Sequence, residues 1–117
     1  MIEFVKKPWG HEEIWAHTDR YVAKMLYINK GHRLSLQYHN KKTETIRVME
    51  GTLTLVTQDA AGKSFEKKLL PGNVYHIAPK MIHRFCAVDN DVVLSEVSTT
   101  EIDDVVRLED DYKRKED

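Results

Sequence analysis

Between Gly31 and Gly51 the chain reads GHRLSLQYHNKKTETIRVMEG, which places Gln37, His39 and Glu44 close together. A further histidine, His83, follows in PKMIHRF. Two imidazoles and one carboxylate suit zinc, manganese or ferrous iron, and a glutamine can add a neutral oxygen ligand. RLSLQYH alternates, with Leu34, Leu36 and Tyr38 on one face and Arg33, Ser35, Gln37 and His39 on the other. If the polar face looks into a closed fold, the interior there is a site. If the apolar face does, Leu34 and Leu36 are core, and Gln37 and His39 are ordinary solvated side chains.

The elements that must position these residues read as short strands. Apolar runs at Tyr21–Ile28, Arg33–His39, ETIRVME, TLTLVTQ, SFEKKLL, VYHIA, HRFCAV and DVVLSEVS are separated by turn residues at Asn29–Gly31, Gly51, Asp59–Gly62, Pro71-Gly72 and Asp89-Asn90. Strands of this length with regular turns predict an all-β sandwich or barrel. Ile102–Leu108 is the one helical candidate. The pattern runs unbroken over residues 1–117, so a single domain is expected, with a charged C-terminal tail fraying from about residue 110.

Composition narrows the classes. The 117 residues carry a formal net charge of −1, with 41% hydrophobic and 32% charged residues. This is not the basic footprint of a nucleic-acid binder, and no apolar run approaches the ~20 residues of a membrane span. Cys86 is the only cysteine. It is expected to be a small buried residue and, with no intrachain partner, it points to a reducing compartment. The N-terminal MIEFVKKPWG meets charge before any signal-peptide core, so a cytoplasmic protein is expected.

With those residues in hand, the chain resembles the cupin superfamily, whose first motif is G-x5-H-x-H-x3,4-E-x6-G. Gly31, His39, Glu44 and Gly51 fall in register, with Gln37 in place of the first histidine. Of the second motif, G-x5-P-x-G-x2-H-x3-N, Gly72 and His83 keep their spacing, while Ala78, Lys80 and Ala87 depart from it. The resemblance implies an all-β single-domain cupin, a small jelly-roll β-barrel. Gln37 and His39 would then point inward, and Leu34, Leu36 and Tyr38 would pack outside.

The chain is more closely similar to the cupin domain of type II mannose-6-phosphate isomerases. That group has a stretch like GGRLSLQMHHHRAEHW, an N-terminal R-P-W-G and a C-terminal D-I-V-R-x-E-D-x-Y. Lys7–Gly10 and Asp104–Tyr112 match the last two. The resemblance implies one divalent metal, zinc foremost, with manganese, cobalt or iron as alternatives, held by Gln37, His39, Glu44 and His83. It also implies a homodimer and interconversion of an aldose and a ketose phosphate, of the mannose 6-phosphate/fructose 6-phosphate type. Arg33, Lys42, Arg84 and Arg107 are the candidates to hold the sugar phosphate. Lys42, Arg107 and His76 are the candidates for catalysis. His11, His17 and His32 are expected at the surface, and Trp9 to cap one end of the barrel. Two positions depart from the group: Lys42 replaces an arginine and Thr45 a histidine, both linked to isomerase activity there. A non-catalytic sugar-binding or regulatory cupin is therefore the alternative. An iron oxygenase using His39, Glu44 and His83 is a third.

Overall fold

In a computed structural model of the chain, residues 2–114 are described. They form eleven strands, and no helix occurs among the described residues. The strands are β1 (Glu3–Lys7), β2 (Gly10–His17), β3 (Val22–Ile28), β4 (Leu36–Tyr38), β5 (Glu44–Glu50), β6 (Leu53–Gln58), β7 (Ser64–Leu69), β8 (Val74–Ile77), β9 (His83–Cys86), β10 (Val92–Ser98) and β11 (Val106–Glu109). One sheet has the order β1-β2-β3-β10-β5-β8 and the other β11-β4-β9-β6-β7. Neighbouring strands pair antiparallel. The fold is the all-β, single-layer-pair architecture that the strand pattern predicts.

Alternation along the central strands explains the interior. On β3, Lys24, Leu26 and Ile28 are buried; on β5, Glu44, Ile46 and Val48; on β10, Val92, Leu94 and Glu96. Successive side chains point to opposite faces, so each strand sends one row inward. The apolar members of those rows meet Leu53, Leu55, Leu69, Phe85 and Trp9 in one core cluster. Burying each large side chain contributes about 1.5–3 kcal/mol. Trp9 takes the packing role expected of it. The chain crosses from β5 in one sheet to β6 in the other at Gly51, where φ is +77° and an added Cβ would lie 2.1 Å from the Asp91 carbonyl oxygen. A side chain fits neither that backbone conformation nor that space.

Two expectations are corrected. Ile102–Leu108 forms no helix. Its second half is β11, in which Val106 pairs with Tyr38 and Arg107 with Gln37, so an edge of the sheet takes up its backbone groups. RLSLQYH is also not one continuous alternating strand. Only Leu36–Tyr38 belongs to β4. Before it, Leu34 N–H donates to the Phe85 carbonyl and Arg33 bridges to Cys86. That second attachment turns Leu34 into the core, and Ser35 beside it is buried too. Leu34 therefore packs inside, while Leu36 and Tyr38 are only half-buried.

Residues 110–114 of the charged tail make specific contacts. Arg114 Nε donates to Asp110 Oδ2 at 2.8 Å, Arg33 pairs with Asp111, and Tyr112 Oη lies 2.8 Å from His32 Nδ1. Residues 115–117, the rest of the tail expected to fray, lie outside the described residues.

Candidate metal centre and its cavity

Three elements bring the candidate ligands together. β4 carries Gln37, and His39 follows directly after it; β5 opens with Glu44; β9 opens with His83. Gln37 and His83 are direct partners across β4 and β9. His39, Glu44 and His83 each present one ligand atom, all within 4.8 Å of one another, and all three residues are buried. Both His39 Nε2 and His83 Nε2 lie 3.4 Å from Glu44 Oε1.

The histidines are held by their other nitrogens. His39 Nδ1–H donates to the Asp104 carbonyl at 2.6 Å, and His83 Nδ1–H to the Met81 carbonyl at 2.9 Å. A carbonyl only accepts, so Nδ1 carries a proton in each ring and Nε2 is the nitrogen turned toward Glu44. Neither buried Nε2 has a hydrogen-bond partner among the described residues. Two orphaned ring nitrogens facing one carboxylate fit a divalent cation, and backbone carbonyls orienting ligand histidines are the usual outer support of such a site. Burial works against ionisation of Glu44. The contacts from His39 and His83 and the charge of Lys42 outweigh it, and hold the carboxyl well below its usual range.

Asp104 braces the ligand segment from outside. Its carboxylate accepts the N–H groups of Asn40, Lys41 and Lys42 at 3.0, 2.6 and 2.9 Å. Against a counter-pull from burial, these bonds bring its carboxyl down to about 2. Hydrogen bonds to the charged form have this effect.

Gln37, His39 and Glu44 open on a cavity of about 460 Å³, whose lining also includes Lys42, Glu96 and Arg107; His83 is buried behind them. That volume lies within the range of small-molecule sites. A family model described as mannose-6-phosphate isomerase C-terminal matches residues 1–110.

The chain belongs to that family.

Solved structures agree on the cupin fold. The capsular polysaccharide assembling protein CapF from Staphylococcus aureus superposes with a TM-score of 0.81 at 17% identity, over 93% of this chain and 34% of that one. Oxalate decarboxylase from Bacillus subtilis gives 0.79 at 14%, over 92% and 30%. KdgF from Halomonas sp. gives 0.74 at 18%, over 86% and 88%. The chain thus spans about a third of the first two proteins. No curated protein matches it.

Within this cupin the candidate residues separate cleanly. Lys42 and Arg107 line the cavity. Arg33 does not: its side chain is 46% exposed and forms a two-pronged bond to Asp111. Strand parity with Gln37 placed it inside, but the break in alternation before Leu36 turns it out. Arg84 is buried away from the cavity, donating to the carbonyls of Leu34 and Glu109. It is a staple between chain segments and not a phosphate anchor. His76 is exposed on β8 opposite Thr45, with Nδ1 2.9 Å from Thr45 Oγ1. Because Glu44 points inward, Thr45 and His76 point outward, and neither reaches the cavity. His11 stacks between Phe4 and Tyr27, and His17 is exposed at the cavity rim.

A row of charges was not singled out from the sequence. Glu12, Lys24 and Glu96 are buried and line the cavity beside Lys42 and Glu44. Lys42 Nζ lies 3.2 Å from Glu44 Oε2 and 3.2 Å from Glu96 Oε2. Burial pulls the Lys42 ammonium down, but Glu96 and Glu44 outweigh it and raise its pKa. Burial, and then the charge of Glu44, push Glu96 up to about 7. The signal was a single charge amid apolar residues, Lys24 in YVAKMLYI and Glu96 in DVVLSEVS. Such a charge inside a strand whose neighbours are core calls for a partner in the interior.

Proposed function

We propose that this cupin is a metal-dependent sugar-phosphate isomerase, interconverting an aldose and a ketose phosphate of the mannose 6-phosphate/fructose 6-phosphate type. The observation that supports it is the convergence of His39, His83 and Glu44 beside a sugar-sized cavity that Gln37, His39 and Glu44 line. A divalent ion there, zinc foremost, would polarise the sugar carbonyl and stabilise negative charge on the two oxygens that exchange roles. The protein's own part is to hold the donors ready. His39 and His83 are fixed by their Nδ1–H bonds, and Glu44 is kept ionised by its neighbours. The exchange removes a proton from one carbon and returns it to the adjacent one, which requires a base facing the same space. Glu96 and Lys42 face it; His76 does not. Arg107, with Lys7 and Arg114, lines the cavity and supplies cations for the phosphate.

Of the two departures from the isomerase group, only Lys42 alters the cavity. Thr45 lies on the outer face, so its change removes nothing from the interior. The decisive assay is metal-reconstituted protein incubated with mannose 6-phosphate, with fructose 6-phosphate as the product. Binding without turnover would favour the second reading, a sugar-binding cupin, which the engagement of Lys42 by two carboxylates supports. A cytoplasmic location and a homodimer complete the proposal, the latter checked by sedimentation.

A further inference from the structure

We propose that Glu12, Lys24 and Glu96 form a wall that reads the hydroxyl groups of an extended, open-chain polyol phosphate. The inference rests on the sugar-phosphate reading above and names how that substrate is recognised.

The three residues continue the ligand set along the inner face of the larger sheet. From Glu44 the charges alternate: Lys42 at 3.2 Å, Glu96 3.2 Å further, Lys24 at 3.9 Å from Glu96, and Glu12 at 3.1 Å from Lys24. β2, β3 and β10 supply them, and Lys24 and Glu96 are direct partners in register. All line the cavity. Glu96 Oε2 has these ion contacts but no hydrogen bond among the described residues.

Stability alone does not account for such a row. Buried ion pairs lose in desolvation much of what they gain in attraction, and apolar replacements are often neutral or better. The same strands already place Leu26 and Leu94 two residues away on the same face. Recognition does account for it. A hydroxyl both donates and accepts, a carboxylate only accepts and an ammonium only donates. An alternating row therefore offers successive hydroxyls a partner for each role. The carboxylates of the row would repel phosphate, which belongs at the cation-lined part of the cavity with Lys7, Arg107 and Arg114. The three parts order the ligand: carbonyl end at the histidines, hydroxyls along the wall, phosphate beyond.

Calorimetry on the zinc-loaded protein tests this with two probes, mannitol 6-phosphate, which has no carbonyl to turn over, and inorganic phosphate. The parent should bind the polyol phosphate at least ~10-fold more tightly than phosphate. The variant Glu12→Leu/Lys24→Met removes both charges and keeps apolar bulk. It should lose that ~10-fold margin, as expected when charged hydrogen-bond partners are removed, while zinc and phosphate affinities hold and the thermal midpoint does not fall. If that variant does not fold, Glu12→Gln is read instead, and an unchanged margin there overturns the wall. An unchanged margin in the double variant does the same. A parent that turns over mannose 6-phosphate but shows no preference for the polyol probe overturns the wall and leaves the isomerase reading standing. A parent with neither turnover nor binding sinks both.

Discussion

The same three strands build two unlike interiors. At one end, β3, β5 and β10 send in Leu26 and Ile28, Ile46 and Val48, and Val92 and Leu94. At the other end they send in Lys24, Glu44 and Glu96. The inward row runs along each strand at both ends; what changes is whether the inward side chains close on one another or face a cavity. The apolar end is held by burial, which is non-directional and tolerant. The charged end is held by pairing, which fails when one partner is lost. One end is a foundation, and the other is available for chemistry because its groups are not consumed by packing.

The largest effect that would sharpen this contrast is Lys42→Met. It leaves Glu44 and Glu96 buried together without their shared cation, and should cost about 3–5 kcal/mol. Urea unfolding in the presence of a chelator reads it. At the other end Leu94→Ala, fully buried, should cost about 2–5 kcal/mol by the lost burial and the cavity left behind. Its metal affinity should be unchanged, and a metal defect there would break the division. His39→Ala should do the converse. Zinc affinity should fall by more than the ~100-fold upper end known for outer partners, with chelator-treated stability near that of the parent. Asp104→Ala keeps the carbonyl that orients His39 but removes the carboxylate that braces Asn40, Lys41 and Lys42 next to it, and should loosen zinc by ~10–100-fold; competition with a chromogenic chelator measures both.

The smallest effect is one of acid. Asp110 is brought to about 2 from its usual 3.8, Arg114 and the backbone N–H groups of Tyr112 and Arg114 prevailing over burial. A depressed folded value stabilises above the unfolded one, so this contribution is complete above about pH 4 and is lost as pH falls through about 2. Amide exchange at Tyr112 and Arg114 should rise over that window, while the strands of the apolar end stay protected. Simultaneous release of both would break the comparison.

Much of the site was legible because its residues keep a motif spacing. His39, Glu44 and His83 come together, with Gln37 across from His83. Arg33 was misplaced because facing depends on which strand pairs with which, and parity counted along one segment does not survive a change of partner; His76 faces outward through its pairing with Thr45, which nothing in VYHIA itself reveals. Leu34 turning inward beside Ser35 is that change. Lys24 and Glu96 were visible as charges in apolar runs, but their partners lie on other strands, and no local pattern names them. The fold class needed only strand and turn rhythm, which is local, and so was read correctly. β11 was missed because its pairing with β4 spans most of the chain, while its own residues are few.

The Asp104 brace has a consequence for how the protein is made. Every candidate ligand precedes it in the chain, yet His39 takes its orientation from the Asp104 carbonyl, and Asn40, Lys41 and Lys42 from its carboxylate. During synthesis, which delivers the N-terminal part first, the nascent polypeptide holds all four donors before it holds the residue that aims one of them. The site is completed late. A ribosome-bound chain stalled short of residue 104 should take up zinc poorly.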